Sequence, residues 1–349
     1  MDHSRRGFIG FTAIGLAVGL GGRAAAQPSR ILRDDARVEP VGPSRPSPEL
    51  ARFLGTLEPR DVARHASLTV LWLAGQGPAS AIRTSTLDEA RAAGVLEIRE
   101  QDRANVPTLV VENRGDTHVL MLAGEILLGG KQDRVVMEDV LLPPKSGARS
   151  VSVYCVEAGR WQGASRNFDT KAMVAAPALR SQVMQRAPQA RVWAEVDRYT
   201  RSAPSAAAPA PPTGSSYRSA LEHPEVRRQL QETERAPELH AAPATRGAAV
   251  FIGARFGGID AFEDTALFGR EWPKLLRAYA VDASRAPADS AGEPEALRER
   301  VRQLLGRVAK TSSAERRNAG VGHLFEFQAD TARGSALVLE DRVIHLALL

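Results

Sequence analysis

The order of the expected elements is the feature that most restricts the fold of this chain. Apolar runs of strand length begin near residue 66, helical periodicity dominates from about residue 172, and strand patterns return at the C-terminus. A regular alternation of strand and helix would indicate a parallel sheet, whereas this grouping is typical of α+β proteins. The sequence therefore predicts an α+β fold. A mixed or antiparallel sheet, built from the N-terminal half and the C-terminal strands, is expected to pack against several helices.

Local signals place individual elements within this pattern. The run 67–75 is continuously apolar and ends at a glycine, which is typical of a strand buried on both faces. Thr86 and Glu89 have the spacing of a capping box, so a helix is expected to begin after Thr86. Two apolar runs flank the segment 113–116, and this pattern predicts a β-hairpin.

Composition divides the chain into distinct parts. Residues 1–26 contain adjacent arginines, an apolar run of about 13 residues and a small-residue site. This predicts a twin-arginine-type signal peptide, because a helix needs about 20 apolar residues to span a bilayer. Residues 27–65 are rich in proline, arginine and serine, and we expect an extended leader with a short helix near 47–57. A single α+β domain is expected over 66–349, interrupted by an Ala/Pro-rich insert at 202–216.

Charge and cysteine content restrict the class of protein further. The signal predicts a periplasmic or secreted protein with no stable membrane anchor after cleavage, and a retained anchor is the alternative. The chain carries a net charge of +5, of which residues 1–26 contribute +2, so +3 remains after cleavage. This excess is spread along the chain with only 5% aromatic residues, which argues against nucleic-acid binding. The single cysteine, Cys155, excludes an internal disulfide.

A polar cluster lies within and after an apolar segment at 121–134, which reads MLAGEILLGGKQDR. Glu125 lies in the apolar part, and the double glycine is followed by Lys131, Gln132 and Arg134. A buried carboxylate requires a partner, and the nearest cations in sequence are Lys131 and Arg134. One interpretation is a structural ion pair. The other is a site where Glu125 acts as a base or ligand and the three donors bind an anion.

A second polar group ends the strand that contains Cys155. Cys155 itself is expected to be a small core residue. Glu157 and Glu125 are the candidate catalytic residues, because two carboxylates beside a cluster of cations can perform acid–base hydrolysis. Trp161 joins the three donors as a candidate ligand-binding residue. A structural pair between Glu157 and Arg160 is the alternative.

Other common site motifs do not fit this sequence. The GGK at 129–131 is not a phosphate-binding loop, because Gln132 follows the lysine and the next segment is strand-like. The histidines have no metal-ligand spacing, and no GxSxG motif is present. We therefore predict neither a metal nor a cofactor. His345 is expected to be a hydrogen-bonded core histidine.

Four segments together resemble a known family, the ARG and rhodanese-phosphatase-superfamily-associated protein domain. The resemblance runs from about residue 66 to the C-terminus, and its segments are 106–146, 153–161, 176–196 and 251–283. The most specific part is the order of glycine, glutamate, lysine and arginine at 124–134, followed by Cys155, Glu157 and Trp161. The resemblance implies membership of an uncharacterised family and does not imply a reaction.

These observations lead to two hypotheses of function. The first is an exported protein that binds a small anionic molecule, such as a phosphorylated or ribosylated compound, at the Glu/Lys/Arg cluster, with hydrolysis of that molecule as a further option. The second is a non-catalytic periplasmic binding or assembly module whose charge cluster is structural. They differ in one spatial requirement, since the first needs the acidic and basic side chains to share a solvent-accessible hollow. The sequence identifies no protein partner.

Overall fold

The computed structural model describes most of the chain after the predicted signal peptide. The described residues are 43–75, 82–101, 107–157, 165–201, 216–287 and 291–349. The predicted signal peptide at 1–26 and nearly all of the insert at 202–216 lie outside them.

The helices follow the local signals in the sequence. Thr86 and Glu89 form the predicted capping box at the start of α2, with each side chain accepting the backbone N–H of the other residue. Pro177 occupies the first turn of α3, where its missing N–H has no intrahelical partner to lose. No helix in the described part of the chain is long and apolar enough to cross a membrane. The helices are α1 (Pro48–Thr56), α2 (Leu87–Ala92), α3 (Pro177–Met184), α4 (Gln189–Arg201), α5 (Tyr217–Glu222), α6 (Pro224–Arg235), α7 (Thr265–Ala283) and α8 (Pro294–Lys310).

The strands occupy both ends of the described sequence. The N-terminal strands are β1 (Leu57–His65), β2 (Leu68–Gly75), β3 (Thr84–Thr86), β4 (Leu96–Glu100), β5 (Thr108–Asn113), β6 (His118–Met121), β7 (Ile126–Gly129), β8 (Arg134–Val136), β9 (Val140–Leu142), β10 (Gly147–Cys155) and β11 (Phe168–Asp169). The C-terminal strands are β12 (Thr245–Ile252), β13 (Arg255–Phe262), β14 (Ser313–Arg316), β15 (His323–Ala329), β16 (Ala332–Leu339) and β17 (Arg342–Leu348).

An eight-stranded sheet joins the two ends of the sequence. Its order is β1-β2-β12-β13-β17-β16-β15-β14, and every neighbouring pair is antiparallel. The remaining strands form a six-stranded sheet, β11-β7-β8-β10-β5-β4, and a three-stranded sheet, β3-β6-β9. Only the β3–β6 pair is parallel among the described ladders. These sheets and the grouped helices confirm the predicted α+β fold.

Helices cover both faces of the eight-stranded sheet. On one face, Phe53 of α1 and Val301 of α8 belong to the same apolar cluster as Leu71 of β2. On the other face, Trp272 of α7 packs edge-on against Trp72, with ring centroids 5.1 Å apart. Neighbouring residues of β2 therefore point to opposite faces, as strand geometry requires. Complete burial of each such side chain contributes about 1.5–3 kcal/mol to the free energy of unfolding.

The folded region begins earlier than the sequence suggested. Residues 48–65, which were expected to belong to an extended leader, form α1 and β1. Ser47 caps α1 by accepting the Leu50 N–H at 3.2 Å, and β1 pairs with β2 along its whole length. The helix near 47–57 was anticipated, but the charged, proline-containing β1 did not show the apolar alternation that indicates a strand.

The hairpin predicted around residues 113–116 is wrong. β5 belongs to the six-stranded sheet, whereas β6 belongs to the three-stranded sheet. Asn113 is fully buried, and its Nδ2 donates to the carbonyl oxygens of Thr117 and Pro143, both at 2.8 Å. Its Oδ1 accepts the Gly115 N–H at 2.9 Å. The segment is therefore a turn that carries the chain from one sheet to the next.

Candidate functional site

Glu125 has a different partner from the one its sequence neighbours suggested. Its side chain is buried and forms an ion pair with Lys274 of α7, which is 149 residues further along the chain. The other carboxylate oxygen, Oε2, accepts the backbone N–H of Leu122 at 2.9 Å. Glu125 therefore joins the connection between β6 and β7 to helix α7, and its carboxylate does not bind Lys131 or Arg134.

Glu157 closes the turn between β7 and β8. Its Oε2 accepts the Asp133 N–H at 3.1 Å, and its backbone oxygen accepts from Gln132 Nε2 at 2.9 Å. Arg134 donates from Nη1 to the backbone oxygen of Gln132 at 3.0 Å. Gln132, Arg134 and Glu157 are all buried. The structure brings these three predicted site residues together, but as internal supports of a turn, while Glu125 belongs to a different cluster.

The remaining sequence candidates do not complete an open site at this turn. Lys131 is partly exposed, and its backbone N–H donates to Glu100 Oε1 at 2.9 Å. Trp161 and Arg160 lie outside the described residues. Cys155 is buried, and burial raises the pKa of its thiol, which confirms the expectation of a core cysteine.

A balanced network of charges lies sealed in the core between α3, β13 and β17. Arg180 donates from Nη1 to both oxygens of Asp260, at 2.8 and 3.0 Å, and Tyr279 donates to Asp260 Oδ2 at 2.7 Å. His345 Nδ1 lies 2.7 Å from Asp139 Oδ2, and its Nε2 lies 3.1 Å from Asp260 Oδ1. A ring with a carboxylate at each nitrogen donates from both, so it is protonated. The network then holds two cations and two anions.

The pKa values of this network follow from its pairing. Burial disfavours the charge on His345, but the carboxylates of Asp139 and Asp260 outweigh it and raise the pKa of His345 to about 9. Burial likewise opposes ionisation of Asp260, but Arg180 and His345 hold the pKa of that carboxyl well below its usual range. His345 is thus the buried, hydrogen-bonded histidine that the sequence predicted. Asp260 is a fully buried member of an ion pair with Arg180.

The connection at residues 122–125 joins this network to the surrounding structure. Ala123 accepts from Arg180 Nε at 2.7 Å through its backbone oxygen, and its N–H donates to Asp139 Oδ1 at 2.8 Å. Gly124 has a φ of +95°, a region that favours glycine. A Cβ on Gly124 would lie 2.8 Å from Arg180 Cγ. The glycine that precedes Glu125 is therefore required by both its backbone conformation and its close contact with Arg180.

A second buried cluster, unlike the first, has an excess of negative charge. We name it the carboxylate cluster, and it consists of Asp88, Glu125, Glu271 and Lys274. Lys274 Nζ contacts Asp88 Oδ2 at 2.9 Å, Glu271 Oε2 at 2.7 Å and the Glu125 carboxylate. Burial opposes the charge on Lys274, but its three acidic partners raise its pKa. One ammonium thus faces three carboxyl groups.

The acidic members of the carboxylate cluster respond differently to this environment. Burial raises the pKa of Glu125 to about 8, and the neighbouring Glu271 and Asp88 add to the rise against the pull of Lys274. Burial also raises the pKa of Glu271. Asp88 is more exposed, and although burial acts on it too, Lys274 and the hydroxyl of Thr170 lower its pKa. Two like-charged carboxyl groups held close together in a low-dielectric interior favour retention of one proton.

An open cleft of about 290 Å³ lies beside the connection at 122–125, and we name it the arginine cleft. Ala123 forms part of its wall, while β14, β15 and β16 supply other parts. Its volume is close to the lower end of the range of small-molecule sites. Its charged residues are Glu138, Arg186, Arg316, Glu326 and Arg333, and its uncharged polar residues are Ser44, Gln185, Ser312, Gln328 and Ser335.

Most of the charges in the arginine cleft are held in place by ion pairs. Arg186 donates from Nη2 to Glu138 Oε2 at 2.5 Å and to Glu326 Oε1 at 3.1 Å. Arg316 Nε donates to the other oxygen of Glu326 at 2.7 Å. Arg333 is exposed, and its guanidinium has no carboxylate partner among the described residues. Three guanidinium groups against two carboxylates leave the cleft with an excess positive charge.

Arg186 adopts a backbone conformation that a glycine would adopt more easily. Its φ is +53°, and it follows the end of α3 in a Schellman arrangement. The Arg186 N–H donates to Val183 O at 3.0 Å, and the Ala187 N–H donates to Gln182 O at 3.0 Å. A non-glycine residue in this region costs about 1–2 kcal/mol. The Arg186 side chain lines the cleft, so this strained position lies at its wall.

No sequence pattern indicates the arginine cleft. Arg186 and Arg316 come from segments 130 residues apart in the chain. Arg186 also occupies the position after a helix where glycine or asparagine is usual, so its residue type does not indicate a positive φ. The charge cluster that was visible in the sequence, at 125–134, is compact in sequence but divided in space.

Fold and site together define an α+β domain with two buried charge clusters and an arginine-lined cleft. The family model of the ARG and Rhodanese-Phosphatase-superfamily-associated Protein domain matches residues 56–349 of the sequence, and the chain belongs to this family. This match confirms the resemblance seen in the sequence and extends it through β1. No curated protein and no solved structure matches the chain.

Proposed function

We propose that the arginine cleft binds a small anionic molecule, such as a phosphorylated or ribosylated compound. The observation that carries the proposal is the uncompensated guanidinium of Arg333 beside the paired Arg186 and Arg316. A guanidinium presents a planar fork of donors that matches phosphate and carboxylate oxygens. An anion would therefore restore neutrality and satisfy donors at the same time.

The uncharged residues of the cleft support a ligand that also carries hydroxyl groups. Three serines and two glutamines line the cleft, and each can donate to or accept from a hydroxyl group. Leu324 and Phe327 supply apolar surface on the same wall. This combination suits a compact, polar, negatively charged molecule better than an extended apolar one.

The geometry favours ligand binding over catalysis by Glu125 and Glu157, the two catalytic candidates from the sequence. Glu125 and Glu157 are buried and hydrogen-bonded to different parts of the structure, so neither carboxylate is placed to act on a common ligand. Hydrolysis within the arginine cleft is the second candidate, because burial raises the pKa of Glu138 despite its pairing with Arg186. A carboxyl group with a raised pKa is suited to general acid catalysis.

A ligand panel tests the proposed function. Thermal unfolding is measured with inorganic phosphate, sugar phosphates, nucleotides and carboxylates, for the wild type, Arg333→Ala and Arg255→Ala. Arg255 is an exposed arginine at the start of β13 and does not line the cleft, so it is a matched control. We expect at least one anion to stabilise the wild type and Arg255→Ala. The loss in Arg333→Ala should be at least tenfold in affinity, which corresponds to about 1.4 kcal/mol or more.

Two outcomes of this panel would overturn the proposal. One is that no anion stabilises the wild type. The other is that Arg333→Ala and Arg255→Ala bind the same anion with equal affinity to the wild type, since binding would then occur elsewhere. Product analysis with any phosphate ester that binds, in the wild type and Glu138→Gln, separates hydrolysis from binding alone.

We also propose that the chain is exported through the twin-arginine route to the periplasm. The support is the pair Arg5 and Arg6, followed by a short apolar run and alanines at 24–26. Cell fractionation of the wild type and of a double substitution of Arg5 and Arg6 by lysine tests this proposal. Export predicts a shorter periplasmic wild-type protein and intracellular retention of the variant, and equal distribution of the two would contradict it.

A further inference from the structure

We propose that the carboxylate cluster binds one proton, carried by Glu271, and that this proton regulates ligand binding in the arginine cleft. This inference rests on the proposed function of the cleft, while the proton site itself stands on the geometry of the cluster.

The charge count of the cluster requires compensation. Three carboxyl groups contact the single ammonium of Lys274, and the side chains of Glu125 and Glu271 are at most 3% exposed. Ionisation of all three acids would leave two uncompensated negative charges, largely in the protein interior. Removing charge by protonation is the usual response of a buried carboxyl group that is only partly paired.

The hydrogen-bond pattern assigns the proton to Glu271. Both oxygens of Glu125 accept hydrogen bonds, from Lys274 and from the Leu122 N–H. Both oxygens of Asp88 also accept them, from Lys274 and from Thr170. Both oxygens of Glu271 are buried and lack a hydrogen-bond partner among the described residues, although Lys274 Nζ lies 2.7 Å from Oε2 and forms an ion pair with it. A carboxylate oxygen without a donor is the costliest place for negative charge, so the neutral acid is favoured there.

The charged groups around the cluster do not supply the missing positive charge. From α7 the facing groups are Glu271 and Lys274 themselves, and from the start of α2 the facing group is Asp88. On the α3 side, Arg180 packs against Gly124, but Asp260 pairs with it. His345 of β17 acts on Glu271 at longer range and is itself placed between two carboxylates.

The connection at 122–125 couples the cluster to the arginine cleft. The Glu125 carboxylate accepts a hydrogen bond from the Leu122 N–H. Ala123 lies between these two residues in the chain and forms part of the cleft wall. Loss of the proton from Glu271 places a third negative charge beside Lys274, so Glu271 then competes with Glu125 for the ammonium. The Glu125 carboxylate then holds α7 less firmly, and the wall at Ala123 is less well ordered. Ligand affinity is therefore expected to fall as the proton is lost.

The sign of the pH effect follows from the raised pKa values. The Glu125–Glu271 pair titrates as a unit, with the pKa of Glu125 raised from 4.5 to about 8. Between pH 4.5 and about pH 8, the folded state holds a proton that the unfolded chain has released. The free energy of unfolding therefore falls as pH rises through this range. Above the upper limit both states are ionised and no further loss arises from this pair. Ligand affinity depends on the folded state alone, so its decrease is centred near the upper limit.

The test compares wild type with Glu271→Gln, which mimics the neutral acid. Thermal unfolding without ligand is measured from pH 5 to 9, and phosphate affinity is measured at pH 6.5 and 9. We expect a shallower pH dependence of stability in the variant. Because phosphate itself titrates between these two pH values, the ratio of its affinities at pH 9 and pH 6.5 is compared, and this ratio should be about tenfold lower in the wild type than in Glu271→Gln. Asp88→Asn is the second variant, and by removing one neighbouring charge it should shift the wild-type transition to lower pH.

The outcomes separate this inference from the function of the cleft. Equal pH dependence of stability in the wild type and both variants would overturn the proton site. A changed stability profile with the same pH effect on phosphate affinity in the wild type and Glu271→Gln would overturn the coupling. A changed stability profile with no phosphate binding at either pH would confirm the proton site and overturn its regulatory role, together with phosphate as a ligand of the cleft.

Discussion

Arg180 and Arg186 are six residues apart, one in α3 and the other just after it, yet they have opposite roles. Arg180 is 2% exposed and donates to Asp260 and to the backbone of Ala123. Arg186 lies in an open cleft, in a strained conformation, among groups that leave an excess positive charge. The number of charges in a region therefore does not reveal its function. Access to solvent and incomplete compensation distinguish a binding site from an internal support.

The largest expected effect on stability comes from disrupting the sealed network, that is, the buried charges of Arg180, Asp260, His345 and Asp139. Arg180→Met removes one cation and leaves Asp260 buried with only partial compensation. We expect a decrease of about 3–5 kcal/mol in the free energy of unfolding, measured with a chemical denaturant. Arg255→Met, on the surface, should change it by no more than about 0.5 kcal/mol. A decrease below about 1 kcal/mol for Arg180→Met would show that Arg180 is not a structural support.

The pH dependence of His345 is the next effect. Its folded pKa of about 9 lies above its ordinary value of 6.5, so its stabilising contribution is complete below 6.5 and is lost as pH rises to 9. A difference of about 2.5 pH units corresponds to about 3 kcal/mol. The carboxylate cluster also loses stability in this range in both proteins, so denaturant unfolding at pH 6 and 9 should show a loss that is about 3 kcal/mol larger in the wild type than in His345→Gln. An equal loss in both would mean that His345 is not protonated in the fold.

Gly124→Ala tests the contact between the connection at 122–125 and the sealed network. Alanine at this position would have to adopt the positive φ of Gly124, and its Cβ would lie 2.8 Å from Arg180 Cγ. We therefore expect the free energy of unfolding to fall by about 2–4 kcal/mol. Gly147 provides a matched control, because its φ is also positive, at +63°, but a Cβ there meets nothing within 4 Å. Gly147→Ala should cost only the backbone component of about 1–2 kcal/mol. Similar losses for both would indicate that the contact with Arg180 is unimportant.

Lys131→Ala should have the smallest effect on stability. The hydrogen bond from this residue to Glu100 comes from the backbone, which alanine retains, and a charged contact of the partly exposed side chain contributes little because solvent screens it. We expect a change of no more than about 0.5 kcal/mol in the free energy of unfolding, measured with denaturant. A loss above about 2 kcal/mol would place the lysine side chain among the structural supports of the turn.

Much of the fold, but little of the site, could be predicted from the sequence. The capping box at Thr86 and the core position of His345 are local or periodic signals, and both were correct. The partner of Glu125 was wrong, because Lys274 reaches it only through the packing of α7 against the N-terminal sheets. Sequence patterns report which residues lie inside, whereas pairing across distant segments depends on the tertiary arrangement. Arg333 is a candidate ligand-binding residue only because tertiary packing places it in the arginine cleft beside Arg186 and Arg316.

Anion affinity in two variants shows most directly whether the ligand binds in the open arginine cleft or at the closed turn between β7 and β8. Titration calorimetry is performed with the best anion from the ligand panel, using the wild type, Arg333→Ala and Lys131→Ala. Binding in the cleft predicts that Arg333→Ala loses at least tenfold in affinity while Lys131→Ala retains wild-type affinity. If Lys131→Ala loses the affinity and Arg333→Ala keeps it, the anion binds at the β7–β8 turn, and the assignment of function to the arginine cleft is wrong.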